Sequence, residues 1–351
     1  MELWVLDTSF RSVMIIDNFK SAIWTDRYRE YGDFEMCLAM TPDIIQSIRT
    51  DYYLYLKESE HAMIIEKLSI ESDTEEGNTL IVSGRSLESI LQRRIIWGSH
   101  SYRGSLQNAV ESMLNDTFIA PSISERKVDN FIFEASSDPK VTSLTIDAQY
   151  TGSNLYEVIV GLCKENGLGF KIALNDQSQF VFSLYSGKDR SYDQSENPYV
   201  VFSPKFENII NSNYFSSNEN LKNVTLVAGE GEGASRRTAV IGTTSGLDRR
   251  ELFTDARDVS SDTETGMLTD AQYIEKLKAR GRKNLAEHTG ATAFEGEVEA
   301  TRLFKYGTDF FLGDIVQIAN EYGHETSACI TELVTSENEE GFSVYPTFQI
   351  L

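Results

Sequence analysis

Between Leu3 and Gly84 the chain is a succession of short apolar runs, "SVMIID", "SAIWTDRY", "DFEMCLAM", "YYLYLK", "AMIIEKLSIE" and "TLIVSG", set apart by polar turns. Each run is rich in β-branched and aromatic residues, which suit a pleated surface with one buried face. Strands this short and this regularly spaced bury their apolar faces by stacking or curling, so the stretch predicts a sandwich or a barrel. The one interruption, "TPDIIQSIR", predicts a short helical turn with Pro42 at its first position.

Near Ser86 the period lengthens. "SLESILQRRII" and "SLQNAVESMLND" read as helices, the second with Leu106, Val110 and Leu114 at steps of four. In "SNLYEVIVGLCKENG", Leu155, Val158, Ile159, Leu162 and Cys163 make one apolar stripe. Asn154 is placed to cap that helix, with Glu157 three residues on as in a capping box, and Gly167 to end it. A hairpin, "LGFKIAL-NDQS-QFVFSLY", follows. Strands resume from Tyr199 to Gly242. A polar loop, "SSDTETG", then leads into the helix "DAQYIEKLKARGRKNLAEH", where the interior Gly281 points to a close packing contact. "AFEGEVEA", "DIVQIA", "SACITELVTS" and "FSVYPTFQI" read as closing strands.

An internal echo runs through this pattern. "IEKLSIESDTEEG" (Ile65 to Gly77) follows the strand "YYLYLK", and "ITELVTSENEEG" (Ile330 to Gly341) follows "DIVQIA". Gly-Asp also precedes an alternating run twice, at Gly32-Asp33 and Gly313-Asp314. Two readings stay open: convergent hairpin chemistry, since acidic turns ending in glycine are common, or two related β-barrels at the ends of the chain.

Charge narrows the function classes. The formal net charge is −22, from 54 acidic and 32 basic residues. A phosphate backbone is repelled by such a chain, which argues against a nucleic-acid reader. Hydrophobic residues at 40% and charged ones at 25% fit a folded soluble protein of two or three domains. Cys37, Cys163 and Cys329 lie apart in apolar runs and read as buried, reduced thiols of a cytoplasmic fold. The start, "MELWVLDTSF", lacks the basic and apolar regions of a secretion signal, and no apolar run approaches the length of a membrane span.

The stretch "VTLVAGEGEGASRRTAVIG", Val224 to Gly242, looks at first like a phosphate-binding loop. Glu230 and Glu232 alternate with Gly229, Gly231 and Gly233, so like charges would face the phosphate. No lysine follows in place, and "ASRRTAVIG" reads as a strand, so a wide hairpin turn accounts for the glycines. His61, His100, His288 and His324 share no ligand spacing, and acidic turns such as "SDTEEG" lack the ligand spacing of a calcium loop. His61 and His324 read as solvated turn residues. "SGRSLES" offers Gly84 and Ser86 as a nucleophile elbow, but Glu88 stands where the second glycine belongs and Ser86 reads as a helix N-cap. Paired carboxylates are uninformative among 54 acidic residues. Aromatic residues reach 11%, and "NSNYFSSNENLKN" and "YDQSENPYVVF" offer them for sugar or protein contacts, though core packing explains most. The reading is a non-enzyme with no catalytic, cofactor-binding or metal-ligating residues.

Eight blocks along the chain carry a family resemblance: "MELWVLDTSF", "EYGDFEMCLAM", "IIEKLSIESD", "LIVSGRSLESILQRRII", "SENPYVVFSPKFENI", "KNVTLVAGEGEG", "SGLDRRELFTDARD" and "DFFLGDIVQIANEYG". Together they resemble a siphophage tail protein family found in prophages, itself similar to the baseplate hub of T-even phages and the N-terminal hub part of tail-associated lysins. The resemblance implies a mainly β fold with an α+β insertion and two β-barrel domains per chain, assembling as a homotrimeric ring. The implied boundaries are an N-terminal barrel at 1–85, the inserted α+β domain at 86–195, a second barrel from 196–248 and 290–351, and a helical connector at 249–289. The implied role is a tail-tip adaptor between a six-fold tail tube and a three-fold tip, lining the DNA channel. Its implied partners are the distal tail protein, the C-terminus of the tape measure protein, and a tail fibre or spike. It would be a virion component assembled in the bacterial host cytoplasm. The sequence stops at "VYPTFQIL", so wall cleavage or receptor binding is expected from another protein. A carbohydrate-binding adhesin at the tail tip is the alternative, with a carboxylate-based wall hydrolase behind it.

Overall fold

The computed structural model describes residues 1–351 apart from 58, 74–76, 264–265, 299–302, 323–324 and 340. They form two compact units, Met1–Asn213 with Phe294–Leu351, and Tyr214–Ala293. One long sheet organises the first, with its two strands at one end, Ile209–Ser217 and Ala291–Val298, crossing the boundary between the units. From one end its strands run Ile209–Ser217, Ala291–Val298, Gly341–Ile350, Glu325–Asn338, Ser21–Arg27, Asp33–Ala39, Gly77–Ser86, Ala62–Asp73, Tyr53–Leu56, Leu3–Leu6 and Ser12–Ile16. Ile315–Ala319 pairs with Glu325–Asn338 and with Val201–Phe202 off this path. Leu3, Val5 and Ile16 from one end share a core with Ala22, Trp24, Phe34 and Met36, so this part of the sheet curls over its own apolar face. The ammonium of Met1 pairs with Glu337. Among the described residues the pairing stays open, ending at Ser12–Ile16 and at Ile209–Ser217.

The echo has a structural counterpart. Tyr53–Leu56, Ala62–Asp73 and Gly77–Ser86 form an antiparallel meander, and Ile315–Ala319, Glu325–Asn338 and Gly341–Ile350 form another. Each has a bulge at the same place, between Ile65 and Lys67 and between Ile330 and Glu332. Upstream, the Asp51 N–H donates to Ile65 O and the Ile65 N–H to Tyr52 O, while Gly313 N–H donates to Ile330 O and Ile330 N–H to Asp314 O. Asp51 and Gly313 both take positive φ, 65° and 87°. In this pattern the counterpart of Gly313 is Asp51. The turns of both hairpins at 74–76 and 340 lie outside the described residues. The bulge re-phases each strand, so Ile65 and Leu68, and Ile330 and Leu333, join the same core at a spacing of three.

The inserted region packs around Leu106, Val110, Leu114, Leu155, Ile159 and Phe182. At about 1.5–3 kcal/mol for each fully buried large aliphatic or aromatic side chain, these contacts fix the helices to the sheet. The helix Leu155–Asn166 starts at Asn154, whose side chain accepts from Tyr156 N–H and Glu157 N–H, and ends at Gly167 in the left-handed conformation. Strands Gly169–Leu174 and Phe180–Tyr185 pair antiparallel, and Phe131–Glu134 joins in parallel. Leu87–Arg93 is a 3₁₀ helix. Ser86 precedes it, yet its hydroxyl accepts from Gly32 N–H instead of capping. Cys163 and Cys329 are buried, whereas Cys37 is only half-buried, a correction to the expectation of three buried thiols.

In the second unit Val224–Ala228 pairs with Thr238–Ile241 and, in parallel, with Glu251–Asp255. These three strands form a sheet of their own. The helix Asp270–Ala286 opens on a full capping box between Thr269 and Gln272 and buries Tyr273, Leu277 and Gly281. A Cβ on Gly281 would stand 2.5 Å from Val227 Cγ2 and 2.7 Å from Ile241 Cδ1, so helix and sheet touch through this glycine. No described helix is long and apolar enough to cross a membrane.

Candidate functional site

The densest buried polar cluster lies in the first unit, where the first strands meet the inserted region. His61 immediately precedes the strand Ala62–Asp73, and its Nδ1 lies 2.9 Å from Glu88 Oε1. The same oxygen accepts from Ile172 N–H at 2.8 Å, so Glu88 ties the 3₁₀ turn to a strand of the inserted region. Asp26 accepts from Trp24 Nε1 at 2.8 Å and from the Ser59 hydroxyl at 2.9 and 3.0 Å. His61 is 2% exposed and Glu88 0%, which corrects the expectation of a solvated turn histidine. His324 lies outside the described residues.

Burial alone would push the His61 imidazole down. The Glu88 carboxylate outweighs it, with help from Asp26, and His61 is pushed up to about 9. Burial would raise Glu88, but the His61 charge and the Ile172 N–H hold it below its ordinary range. Asp26 is raised by burial, against the pull of His61, Ser59 and Trp24. The result is a charged pair inside the fold, with a second carboxyl beside it.

Ser59, His61 and Asp26 include the residue types of a hydrolytic triad without its geometry. The Ser59 hydroxyl bonds Asp26 and the His61 backbone, and the imidazole Nδ1 is committed to Glu88. The Ser59 hydroxyl is thus turned to a carboxylate and the imidazole to another, not to each other as a serine–histidine pair requires. Beside His61 lies a cavity of about 180 Å³, lined also by the Glu60–Lys171 ion pair, Tyr185, Tyr306 and Asp314. Asp314 is a junction of its own. It accepts from Arg190 Nε at 2.6 Å, Lys188 N–H at 2.7 Å and Phe311 N–H at 3.1 Å, joining the end of the inserted region to the last strands. Both clusters act as staples between stretches distant in sequence.

The remaining sequence candidates fall elsewhere. His100 Nε2 contacts Trp97 O and His288 Nδ1 contacts Asn284 O, both at 2.8 Å. Among the described residues no group of three or more metal-ligating side chains converges. In the turn after Val224–Ala228, Glu230 accepts from Ser261 N–H and Oγ and pairs with Arg237, while Arg237 lies over the Tyr273 ring. A Cβ on Gly229 would stand 2.3 Å from the Tyr273 hydroxyl, so this glycine answers to a packed tyrosine. The acidic glycine-rich stretch is a pinned turn. Sequence reasoning gave Asp26 no role, read Asp314 only as part of the Gly-Asp echo, and passed over Glu88 as a misplaced elbow residue; for Glu88 and Asp314 a lone charge within an otherwise apolar stretch was the available signal.

The fold as a whole is similar to solved prophage tail proteins. The 43 kDa tail protein of prophage MuSo2 from Shewanella oneidensis matches at a TM-score of 0.63 and 12% identity, over 99% of this chain and 98% of that one. Prophage tail protein gp18 from Listeria monocytogenes EGD-e matches at 0.57 and 14%, over 99% and 94%. A chain of the lidded Francisella PdpA–VgrG complex matches at 0.51 and 11%, over 99% of this chain and 52% of that one. No curated protein sequence matches. The chain belongs to the Siphovirus ReqiPepy6 Gp37-like protein family, whose model matches residues 2–348.

Proposed function

We propose that the protein is a structural tail-tip (baseplate) hub. Three copies close into a ring that joins the six-fold tail tube and distal tail protein to a three-fold tip, with DNA passing through the middle. The observation that carries this reading is the doubled meander with its matching bulges. A chain with two like units supplies six from three copies, which is what an adaptor between six-fold and three-fold symmetry requires. We take the strands of 1–85 as one barrel domain and those of 196–213 with 294–351 as the other. Residues 86–195 are the insertion, and 214–293 form a separate unit. Two buried staples that tie together stretches distant in sequence suit a scaffold.

The likeness to a chain of a PdpA–VgrG complex supports assembly with a second protein at the tip. The distal tail protein, the tape measure C-terminus and a fibre or spike are the partners this role needs. The net charge of −22 per copy suits a channel through which DNA slides without adhering. Electron-microscope class averages of the purified protein, with mass from light scattering, test the reading. A three-fold ring with six lobes around a hole is the expected result. A monomer that stays a monomer when mixed with the distal tail protein overturns it.

A further inference from the structure

Arg27, Arg85, Arg190 and Arg237 each hold a carboxylate. Arg93, Arg94 and Arg126, in the inserted region, pair with no carboxylate among the described residues. Arg94 donates to Thr117 O, Arg93 O and Arg126 O, and Arg126 donates to Ile95 O. Neutral carbonyls thus fix these two guanidiniums and leave their charge uncompensated. The Arg93 side chain is exposed and bonds nothing among the described residues. Burial, and then the charges of Arg126 and Arg93, push Arg94 down. Apolar surface lies beside this charge. Trp97 is 55% exposed, with the Arg126 guanidinium 4.9 Å from its ring centre, and Ile95 is 42% exposed. Arginines around an exposed tryptophan have the composition of a binding hot spot.

Such a patch fits an acidic segment that carries an apolar side chain, and the chain displays one. At the end of the hairpin formed by Glu325–Asn338 and Gly341–Ile350, Phe342 is 53% exposed and stands opposite Glu337. The Met1 ammonium holds Glu337, while Glu339 is exposed and pairs with no described cation. Patch and hairpin end belong to the same compact unit, yet no described carboxylate reaches the three arginines, so the two do not meet within one copy. We propose that the arginine patch of one copy receives the acidic hairpin end of the next, Arg93 facing Glu339 and Trp97 facing Phe342. The inference rests on the ring reading above and gives it a contact. Unlike surfaces joined head to tail close into rings. Copies carrying −22 each repel, and this contact sets unpaired positive charge against unpaired negative charge. A nucleic-acid strand suits the patch less well, because its phosphates would run on past three guanidiniums over an acidic protein.

The test is light scattering of the purified full chain over a dilution series, which gives the concentration at which the trimer half-dissociates. Arg93 and Glu339 are exposed, so Arg93→Glu and Glu339→Arg keep the fold, checked by an unchanged melting curve. Arg93→Glu is expected to raise the half-dissociation concentration by about tenfold or more, since like charges then meet. Adding Glu339→Arg to Arg93→Glu restores the pair with its signs exchanged and should return the wild-type value. Arg49→Glu, the same charge change at an exposed position elsewhere, should leave assembly unaltered. An Arg93→Glu variant that assembles like wild type overturns the contact and leaves the ring standing. Failure of Glu339→Arg to restore assembly, or equal weakening by Arg49→Glu, also overturns it, since the effect is then not that of this pair. A wild type that stays monomeric even with the distal tail protein ends the ring reading and this contact together.

Discussion

Replacing His61 by glutamine removes one charge from a pair that is almost wholly enclosed, and the consequence can be worked from the structure. His61 is pushed up to about 9 from an ordinary 6.5. At about 1.4 kcal/mol per unit, that gap makes the charged imidazole worth about 3 kcal/mol to the folded state. The sign follows from the raised value. The contribution is complete below about pH 6.5, where the imidazole is charged in both states, and is lost as pH rises through about 9. Glutamine leaves Glu88 buried without its counter-charge, the case in which breaking a buried pair costs most. The assay is urea unfolding of wild type and His61→Gln across pH 6 to 10. Its reporter is tryptophan fluorescence, to which Trp24, a buried indole bonded to Asp26 in the same cluster, contributes. The variant is expected to be less stable by about 3 kcal/mol at pH 6, with the difference shrinking to under about 1 kcal/mol by pH 10. A difference that stays constant over this range, or is absent at pH 6, refutes the assignment of His61 as a charged partner of Glu88.

Two further substitutions probe the other contacts. Gly281→Ala gains about 1 kcal/mol of helix propensity but forces a methyl to within 2.5 Å of Val227, and overpacking of about 1–3 kcal/mol wins. The Tyr214–Ala293 unit should therefore become more open to limited proteolysis, and an unchanged digestion rate refutes the contact. Arg190→Ala strands Asp314 inside the fold and should lower stability to urea by about 3–5 kcal/mol, whereas Arg190→Met with Asp314→Leu, which removes both charges, should cost clearly less.

Much of the architecture was legible because strands and helices write their periods directly. The stripe from Leu155 to Cys163, with Asn154 before it and Gly167 after it, reproduced a helix to its caps. The doubled hairpin was legible as an echo, but its bulges were not. An apolar pair three residues apart, as in "IEKL" and "ITEL", has the spacing of a helix face, and only the extra residue in the strand explains it. The buried staples were hidden for a different reason. Glu88 meets His61 and Ile172 across 27 and 84 residues, and Arg190 meets Asp314 across 124, so no local pattern announces them. Turn composition around His61 argued for solvent, and tertiary burial overrode it.

The ladder between Ser21–Arg27 and Glu332–Asn338 has a mechanical consequence. It holds the opening and the closing stretch of the chain together in continuous antiparallel register from Arg27 opposite Glu332 to Ser21 opposite Asn338. Tension along the strand direction loads these backbone hydrogen bonds side by side, so they share the force and yield together, whereas tension across the sheet would open them one at a time. The Arg27 guanidinium, bound to both Glu332 and Asp33, locks one end of that ladder. A protein built this way resists pulling along its strands far better than peeling across them.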